Sequence, residues 1–269
     1  MYSRVGIAVN DDNRLWGRSI REEIAGRLPY TGLAVLGISG RMLSPEDCAL
    51  IDDVVAVNAV GDPRVWPFKL ARVVSSFGHS VAGLAAIGLS FASPVIGPQT
   101  LKTTAELLLS IEAQLGERAT DPSAMEAEVL RRLKSTERLP GFGVPFRLDD
   151  ERVLALRECV ERRGRKDMHY WRIAEQWAAS ARKVRNLRGN YSLFTSAVFL
   201  DLGLSPEQCA VLILGLLPGA NLGPVYEGAQ LAEPQLRCLP ADAVEYVGPP
   251  PRRSPRSCTS TPTPDATTT

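Results

Sequence analysis

The stretch on which the interpretation of this chain depends is Gly141-Phe142-Gly143-Val144-Pro145-Phe146-Arg147, a loop that carries two glycines and a proline. Helical patterns lie on both sides of it, and the charged run Asp149-Asp150-Glu151-Arg152 follows directly. Glycines on either side of an aromatic residue allow backbone conformations that other residues avoid, and they let the backbone approach a ligand closely. We therefore predict that this loop forms the centre of the functional site.

The sequence on both sides of the loop predicts a mainly α-helical chain. Two runs, Ser44-Pro45-Glu46-Asp47 and Ser205-Pro206-Glu207-Gln208, each place a serine N-cap before a proline of the first helical turn. Gly40 is a natural helix C-cap, and an amphipathic pattern predicts a helix over residues 104–115. Apolar and polar residues alternate over no more than a few positions, so long strands are not expected.

The composition excludes several classes of function. The 269 residues include 31 basic and 30 acidic side chains, so the net charge of +1 gives no electrostatic reason to expect nucleic-acid binding. The most apolar stretch, residues 81–96, is shorter than the ~20 residues that a membrane span needs. The N-terminus lacks the apolar core of a signal peptide. We predict no membrane segment and a cytoplasmic protein.

The cysteines indicate neither a disulfide framework nor a metal site. They are scattered, form no C-x-x-C pair and have no histidine at metal-ligand spacing; they are Cys48, Cys159, Cys209, Cys238 and Cys258. This pattern is typical of a reduced cytoplasmic protein. The chain also lacks a dinucleotide fingerprint, a Walker A phosphate loop, an H-E-x-x-H zinc motif and a G-x-S-x-G nucleophile motif, so we expect no tightly bound cofactor.

Four segments, in this order, resemble the citrate synthase superfamily, and in particular its short members that are similar to citryl-CoA lyase. They are residues 40–45 after the first helices, 71–76 before an Ala/Gly-rich helix, the 141–143 loop, and Asn190 with residues 201–206. The resemblance spans roughly residues 15 to 230.

The resemblance implies a mainly α, two-domain helical fold. A large helical domain would comprise residues 1–100 and 191–240, with a small helical domain inserted at 101–190. Residues 241–269 are rich in proline, serine and threonine, and we predict that they form a disordered tail. Family members bind an acyl-CoA and a small carboxylate in the cleft between the domains. They make or break a carbon–carbon bond there, and they pair as homodimers through large-domain helices.

The family's catalytic positions are changed in this chain. Where the family carries two histidines and an aspartate, the sequence has Ile96, Val144 and Ser192. Neither apolar side chain can exchange a proton, and a serine hydroxyl is a weak base without a partner. Other family positions, a substrate-binding histidine and a later arginine and histidine, fall near Asp62, Leu217 and Pro224.

Three residues are candidates for proton transfer. Asp62 could replace the missing base, or it could cap the helix that follows the Asp-Pro turn. His79 interrupts a helical region that faces the family's cleft, so it could be a relocated acid or base or a structural histidine. Ser192 stands at the position of the family's catalytic aspartate.

The candidates for ligand binding follow the loop. Arg152 lies eight residues past Val144, close to where the family keeps a carboxylate-binding arginine, although it could instead be a solvated helix-start residue. Arg147 could contact a coenzyme A phosphate or remain an exposed loop arginine. Asn190 is the residue of this chain that matches a binding position of the family most directly. Gly141, Phe142 and Gly143 are candidates for binding the coenzyme A thioester, and Val144 is a candidate substrate-binding residue.

The sequence leaves three hypotheses. The first is a divergent enzyme of the citrate synthase and citryl-CoA lyase type with relocated catalytic groups. The second is an inactive relative that keeps the fold and serves as a partner subunit. The third is a purely structural helical protein.

Overall fold

The computed structural model describes residues 2–8, 12–78, 80–91, 96–135, 138–230 and 240–250, and the part of the chain that it describes is mainly helical. The α-helices are α1 (Tyr30–Ser39), α2 (Pro45–Ala56), α3 (Trp66–Ser75), α4 (Ser80–Ser90), α5 (Pro98–Leu115), α6 (Pro122–Leu133), α7 (Glu151–Arg162), α8 (His169–Arg185), α9 (Tyr191–Asp201), α10 (Pro206–Ala220) and α11 (Leu222–Ala229). Shorter helical turns are Ile20–Ile24, Gly116–Thr120 and Ala241–Ala243. The predicted mainly α fold is confirmed.

A small antiparallel sheet precedes the helices. Its strands are β1 (Gly6–Ile7), β2 (Arg14–Leu15) and β3 (Arg18–Ser19), paired in that order. Trp16, in the turn between β2 and β3, donates a hydrogen bond from Nε1 to the Gly37 carbonyl at 3.1 Å. This bond fastens the sheet to α1.

The helix caps predicted from the sequence are present. Gly40 ends α1 in the left-handed conformation with φ 71°, and Ser44 caps α2 by accepting from the Asp47 amide. Ser205 forms a capping box with Gln208 at the start of α10. α5, however, begins at Pro98, six residues before the predicted start at 104, because Gly97 and Pro98 form a favourable helix start that the apolar pattern does not reveal.

The core of the molecule surrounds α9. Residues 193–200 of this helix are all buried, and α9 packs against α5, α8 and α10. The largest fully buried side chains include Trp177 of α8 with Phe194 and Phe199 of α9. Because its neighbours enclose α9, the position of its first turn is determined by the core. That first turn carries the candidate residues Asn190 and Ser192.

A second group of helices, α3, α4 and α11, packs at very short range. A Cβ atom added to Gly83 of α4 would lie 2.9 Å from the Ala71 carbonyl oxygen of α3. One added to Gly228 of α11 would lie 3.0 Å from the Arg72 carbonyl oxygen. Arg72 also forms a bidentate ion pair with Glu227, with N–O distances of 2.7 and 3.2 Å. Glycine therefore permits the spacing of these three helices.

The chain divides into two compact units, Met1–Gln235 and Leu236–Thr269. In the second unit the described residues form a short 3-10 turn at Ala241–Ala243. Residues 251–269 of the predicted tail lie outside the described residues, as do Cys238 and Cys258. The division of residues 1–240 into a large and an inserted small domain remains a prediction.

Within the described residues, no single helix is both long and apolar enough to cross a membrane. One bent pair, Tyr191–Asp201 with Pro206–Gly219, meets that test by length and composition alone, with an angle of 114° between its helices.

Candidate functional site

The glycine loop is tied by backbone hydrogen bonds to the segment that precedes α9. The Gly143 amide donates to the Arg188 carbonyl at 3.0 Å, and the Asn190 amide donates to the Gly141 carbonyl at 2.9 Å. The Asn190 side chain adds a third bond, from Nδ2 to the Gly143 carbonyl at 2.8 Å. The loop and the start of α9 therefore form one connected structure.

Both loop glycines have the backbone conformation that favours this residue. Gly141 has φ 84° and Gly143 has φ 80°, in the left-handed region that L side chains rarely adopt. A Cβ on Gly141 would also lie 3.2 Å from both Leu193 and Thr104. Phe142, between them, packs against the buried Trp177 with ring centroids 6.2 Å apart. The loop is thus anchored on the core by its aromatic residue, while Gly143 is exposed.

The first turn of α9 presents polar groups next to the loop. Asn190 is the N-cap, and its Oδ1 accepts from the Ser192 amide at 3.0 Å and the Leu193 amide at 3.3 Å. The Ser192 Oγ lies 2.9 Å from the Oγ1 of Thr100 in the first turn of α5. Thr100 donates its own hydroxyl proton to the Gly97 carbonyl at 2.6 Å. Ser192 is therefore the donor in the hydroxyl pair, because each hydroxyl carries one proton.

Val144 begins a tight turn that projects from the loop. Val144 and Arg147 are bridged in antiparallel fashion, and Phe146 between them has a positive φ of 64°. The Arg64 guanidinium lies over the Phe146 ring, 4.9 Å from its centroid. Arg147 pairs with Glu151 in the first turn of α7. The predicted phosphate-binding arginine is thus exposed and engaged with a carboxylate.

Both carboxylate oxygens of Asp62 accept hydrogen bonds from Arg64, the arginine that lies over the Phe146 ring. Its Oδ1 accepts from the Arg64 amide at 2.9 Å and from Nε at 3.0 Å, and its Oδ2 accepts from Nη2 at 2.7 Å. The pKa of Asp62 is lowered to about 2, chiefly by the side-chain hydrogen bonds from Arg64. The backbone hydrogen bond and the charge of Arg64 lower it further, and the charge of Arg147 makes a smaller contribution. A carboxylate with so low a pKa is a weak base at neutral pH.

Arg152 lies in a largely buried polar cluster behind the loop. Its Nε and Nη2 donate to the two oxygens of Asp150 at 2.7 and 2.8 Å, and its Nη1 donates to Asn58 Oδ1 at 2.6 Å. The guanidinium lies over the Tyr191 ring at 4.9 Å. Asn58 lies two residues after the end of α2, so this cluster joins the end of α2 to α7 and α9.

The structure brings nearly all of the predicted site residues to one region. Direct contacts link the 141–143 loop to Asn190, and Asn190 to Ser192. The turn that begins at Val144 connects through Phe146 to the Asp62–Arg64 pair. Arg147 lies before the first turn of α7, and Arg152 lies within that turn. His79, the remaining candidate, lies outside the described residues.

Sequence reasoning did not identify four residues of this region as parts of the site. They are Asn58, Arg64, Thr100 and Asp150. Thr100 was missed because it lies before the predicted helix start at 104. The pair Gly97-Pro98 is the sequence pattern that could have indicated the earlier start of α5. The adjacent acids Asp149 and Asp150 at a helix start indicate either a paired-carboxylate site or groups that satisfy the helix dipole, and Asp150 does the latter as the N-cap of α7. No sequence pattern indicates that it also binds Arg152 and the start of α9.

Two cavities adjoin the region. One, of about 450 Å³, lies between α7 and α8 and reaches Asp149, Asp150, Arg188 and Gly189. A second cavity, of about 580 Å³, continues along the same helices. Both cavities are lined by the ion pair between Arg157 and Glu175. These volumes lie in the range of small-molecule sites. In the described part of the chain, no group of three or more His, Cys, Asp and Glu side chains could hold a metal ion.

The chemistry of the described residues favours binding of anions and carbonyl oxygens. Arginine, amide and hydroxyl groups lie around the loop, and groups of these kinds recognise carboxylates, phosphates and developing oxyanions. Asp62, with its low pKa, is the carboxylate that sequence reasoning proposed as a base. The described residues of this region therefore supply hydrogen-bond donors more readily than a general base.

Comparison with known proteins identifies the fold. No protein-family model and no curated protein sequence matches the chain. Among solved structures, citryl-CoA lyase from Hydrogenobacter thermophilus matches with a TM-score of 0.72 at 18% identity, over 96% of this chain and 98% of the lyase. ATP citrate lyase from Methanothrix soehngenii, in complex with citrate and coenzyme A, has a TM-score of 0.69 at 18% identity, over 93% of this chain but 42% of the lyase.

Citrate synthase from Thermotoga maritima is also similar, with a TM-score of 0.56 at 18% identity, over 81% of this chain and 57% of the synthase. At these identities the likeness establishes the fold and leaves the reaction open. The predicted citrate synthase-like helical fold is confirmed: this chain has the helical architecture of citryl-CoA lyase and citrate synthase.

Proposed function

We propose that this chain binds a coenzyme A thioester together with a small oxo-carboxylate and makes or cleaves the carbon–carbon bond between them. The observation that carries this proposal is the set of three hydrogen bonds that join the glycine loop to Arg188 and Asn190. They occur in a chain whose fold matches nearly all of citryl-CoA lyase. The related ATP citrate lyase structure contains citrate and coenzyme A, which supports the same classes of ligand here.

The proposed reaction sets clear demands on the site. Cleavage of a citryl-CoA-like thioester removes the proton of the tertiary hydroxyl and breaks the adjacent carbon–carbon bond. The electron pair of that bond moves into the thioester to form an enolate, whose α-carbon then takes up a proton. Synthesis is the reverse. The site must therefore supply a proton carrier for each step, donors for the enolate oxygen, and cations for the carboxylates.

We assign these roles to the predicted residues. Ser192, whose proton already serves a hydrogen bond to Thr100, would donate instead to the thioester oxygen when substrate is present. Arg147, Arg152 and Asn190 would bind the carboxylate and phosphate groups. Residues 141–143 would lie against the thioester arm, with Val144 forming an apolar wall. Asp62 and His79 would carry protons, and for Asp62 this requires release from Arg64.

The second candidate function is an inactive partner subunit that keeps the ligand pocket. The specific feature in its favour is that, by the resemblance to the family, Ile96, Val144 and Ser192 stand where the family carries its catalytic residues. The low pKa of Asp62 points in the same direction. Such a subunit would bind the thioester without turning it over and would act by regulating or assembling with an active relative.

One experiment separates these functions. Purified protein is incubated with citryl-CoA, and acetyl-CoA, oxaloacetate and α-proton exchange of acetyl-CoA in deuterium oxide are measured beside calorimetric titrations with coenzyme A esters. Cleavage or exchange that Asp62→Ala or His79→Ala abolishes supports the enzyme. Binding without turnover supports the inactive subunit. If no ester binds, the proposal fails and only the structural hypothesis remains.

We also propose that the chain forms a homodimer through α3 and α4. The α4 sequence has no charged residue, and Val81, Ala85 and Leu89 recur every four positions on one face. Val81 and Leu89 are 81% and 79% exposed. Apolar side chains of α3 are also exposed: Trp66 and Leu70. A second copy of the chain would remove these surfaces from water.

A cytoplasmic location completes the proposal. Cys48, Cys159 and Cys209 are free and buried, which suits a reducing compartment. Burial raises the pKa of Cys209 to about 12, so its thiol stays protonated and unreactive.

A further inference from the structure

We propose that Asp150 is a positioning residue of the site, which holds Arg152 and the first turn of α9 as a single unit and thereby sets the position of the glycine loop. For its effect on ligands this inference rests on the proposed function. For its effect on the loop it rests on the geometry alone.

The Asp150 carboxylate is almost fully buried and fully hydrogen-bonded. Its side chain is 1% exposed. Oδ1 accepts from Nε of Arg152 at 2.7 Å and from the Arg152 amide at 3.3 Å. Oδ2 accepts from Nη2 of Arg152 at 2.8 Å and from the Tyr191 amide at 2.8 Å. Each oxygen thus receives two donors, and one donor of the four belongs to α9.

The groups around Asp150 close a ring of contacts between three helices. Tyr191 is held at both ends, because its amide donates to Asp150 while its hydroxyl donates to the Val54 carbonyl of α2 at 2.7 Å. Arg152 lies over the Tyr191 ring and donates to Asn58, which follows α2. The carboxylate is the one member of this ring that accepts from both Arg152 and Tyr191.

The ring is coupled to the loop through one residue. Tyr191 follows Asn190, whose amide and side chain hold Gly141 and Gly143. A displacement of Tyr191 therefore moves the groups that fasten the loop. Arg152 is bound to the same Asp150 carboxylate as Tyr191. The proposed carboxylate-binding arginine and the proposed thioester-binding loop therefore keep a constant relative position.

The substitution Asp150→Asn tests this with little change of shape. Asparagine is a good N-cap, so the start of α7 is kept. Its amide offers one accepting oxygen where the carboxylate offers two, so donors from Arg152 or Tyr191 lose their acceptor. The matched control is Asp149→Asn, in the adjacent, 61% exposed residue that pairs with Arg188.

The first measurement is hydrogen–deuterium exchange of the unliganded protein. In Asp150→Asn we expect exchange in peptides covering 139–144 and 188–193 to rise about 10-fold or more, while α10 is unchanged, because opening is local. Asp149→Asn should alter these peptides far less. Equal exchange in wild type and Asp150→Asn would overturn the proposal. Should Asp150→Asn fail to fold, Asp150→Ser takes its place, because serine also keeps a capping oxygen while removing the paired acceptor; equal exchange in that variant and wild type would overturn the proposal too.

The second measurement is calorimetric titration with citrate and, separately, with coenzyme A. A positioning role predicts that Asp150→Asn weakens citrate about 10-fold through Arg152 and also weakens coenzyme A through the loop that Asp150 positions, whereas Asp149→Asn leaves both affinities nearly unchanged. Wild-type affinity of Asp150→Asn for both ligands would overturn the proposal for ligand binding, and a rise in exchange that includes α10 would show a merely structural role and overturn it too. If the wild type binds neither ligand, the proposed function fails, whereas the exchange experiment still decides whether Asp150 positions the loop.

Discussion

At the scale of single residues, Asp62 shows how its partners decide what a candidate side chain can do. A free carboxylate in an Asp-Pro turn could serve as a general base. Here Arg64 takes both oxygens, and the pKa falls to about 2. The pair would have to separate before Asp62 could accept a proton near neutral pH.

We expect Arg64→Ala to raise the pKa of Asp62 from about 2 towards the ordinary value of about 4. Because the folded-state pKa lies below the unfolded value, the pair stabilises the fold above about pH 4, and this contribution is lost as the pH falls towards 2. The measurement is a carboxyl ¹³C NMR titration of Asp62. Arg21→Ala, far along the chain on an exposed surface pair, is the control, and an unchanged pKa in Arg64→Ala would contradict the assignment.

Asn190 combines two functions that different substitutions separate. Asn190→Ala removes both the α9 cap and the bond to the Gly143 carbonyl, and we expect it to lower the free energy of unfolding by about 1–2 kcal/mol. Asn190→Ser keeps a capping oxygen but cannot reach Gly143, so it should cost less stability yet still expose the loop. Urea denaturation and limited proteolysis at 141–147 measure the two effects. Equal proteolysis of Asn190→Ser and wild type would contradict the loop bond.

At the scale of the secondary structure elements, two kinds of contact determine the structure near the site. α9 is placed by burial against α5, α8 and α10. α3, α4 and α11 approach closely because small residues occupy their contacts. Predictions about these elements therefore concern packing rather than charge.

We expect Gly83→Ala to lower the free energy of unfolding by about 1–3 kcal/mol, because overpacking forces helices apart. The added Cβ would lie 1.8 Å from Ser75 Oγ and 2.9 Å from the Ala71 carbonyl. The hydroxyl can rotate away, whereas the carbonyl belongs to the α3 backbone. Chemical denaturation measures the effect.

The matched control is Gly215→Ala within α10, where an added Cβ meets nothing within 4 Å. Alanine there should be neutral or stabilising by up to about 1 kcal/mol, because glycine is a poor helix former. If both variants changed stability alike, close packing of α3 and α4 would not be the cause.

At the scale of the whole molecule, the exposed apolar surface of α4 is the feature that a single chain leaves unexplained. Large exposed apolar patches mark interaction sites in soluble proteins. The proposed homodimer accounts for this surface, and its disruption is directly measurable.

We expect the double variant Val81→Glu, Leu89→Glu to halve the mass measured by light scattering, since buried unpaired carboxylates oppose association. Leu130→Glu changes a 46% exposed leucine on α6 and should leave the mass of the wild type unchanged. A wild-type protein that is monomeric at working concentration would contradict the proposed interface.

Several features of the fold could be predicted because they depend on neighbouring residues. The caps at Gly40, Ser44 and Ser205 involve partners within a few positions, so local sequence patterns identify them. The start of α5 was predicted too late, because four of the residues 98–103 carry polar side chains that the apolar pattern does not include: Gln99, Thr100, Lys102 and Thr103. This error concealed Thr100 from the predicted site.

The sequence by itself determined the helical class, several caps, the glycine loop and the family that its motif order resembles. Only the tertiary structure decided which partners the candidate side chains have. Arg152 meets Asn58 across 94 positions, and Ser192 meets Thr100 across 92. Such contacts depend on how whole helices pack, and no local pattern encodes them. Asp150 is the clearest case: its sequence position predicts a helix cap, whereas its packing also makes it the shared acceptor for Arg152 and α9.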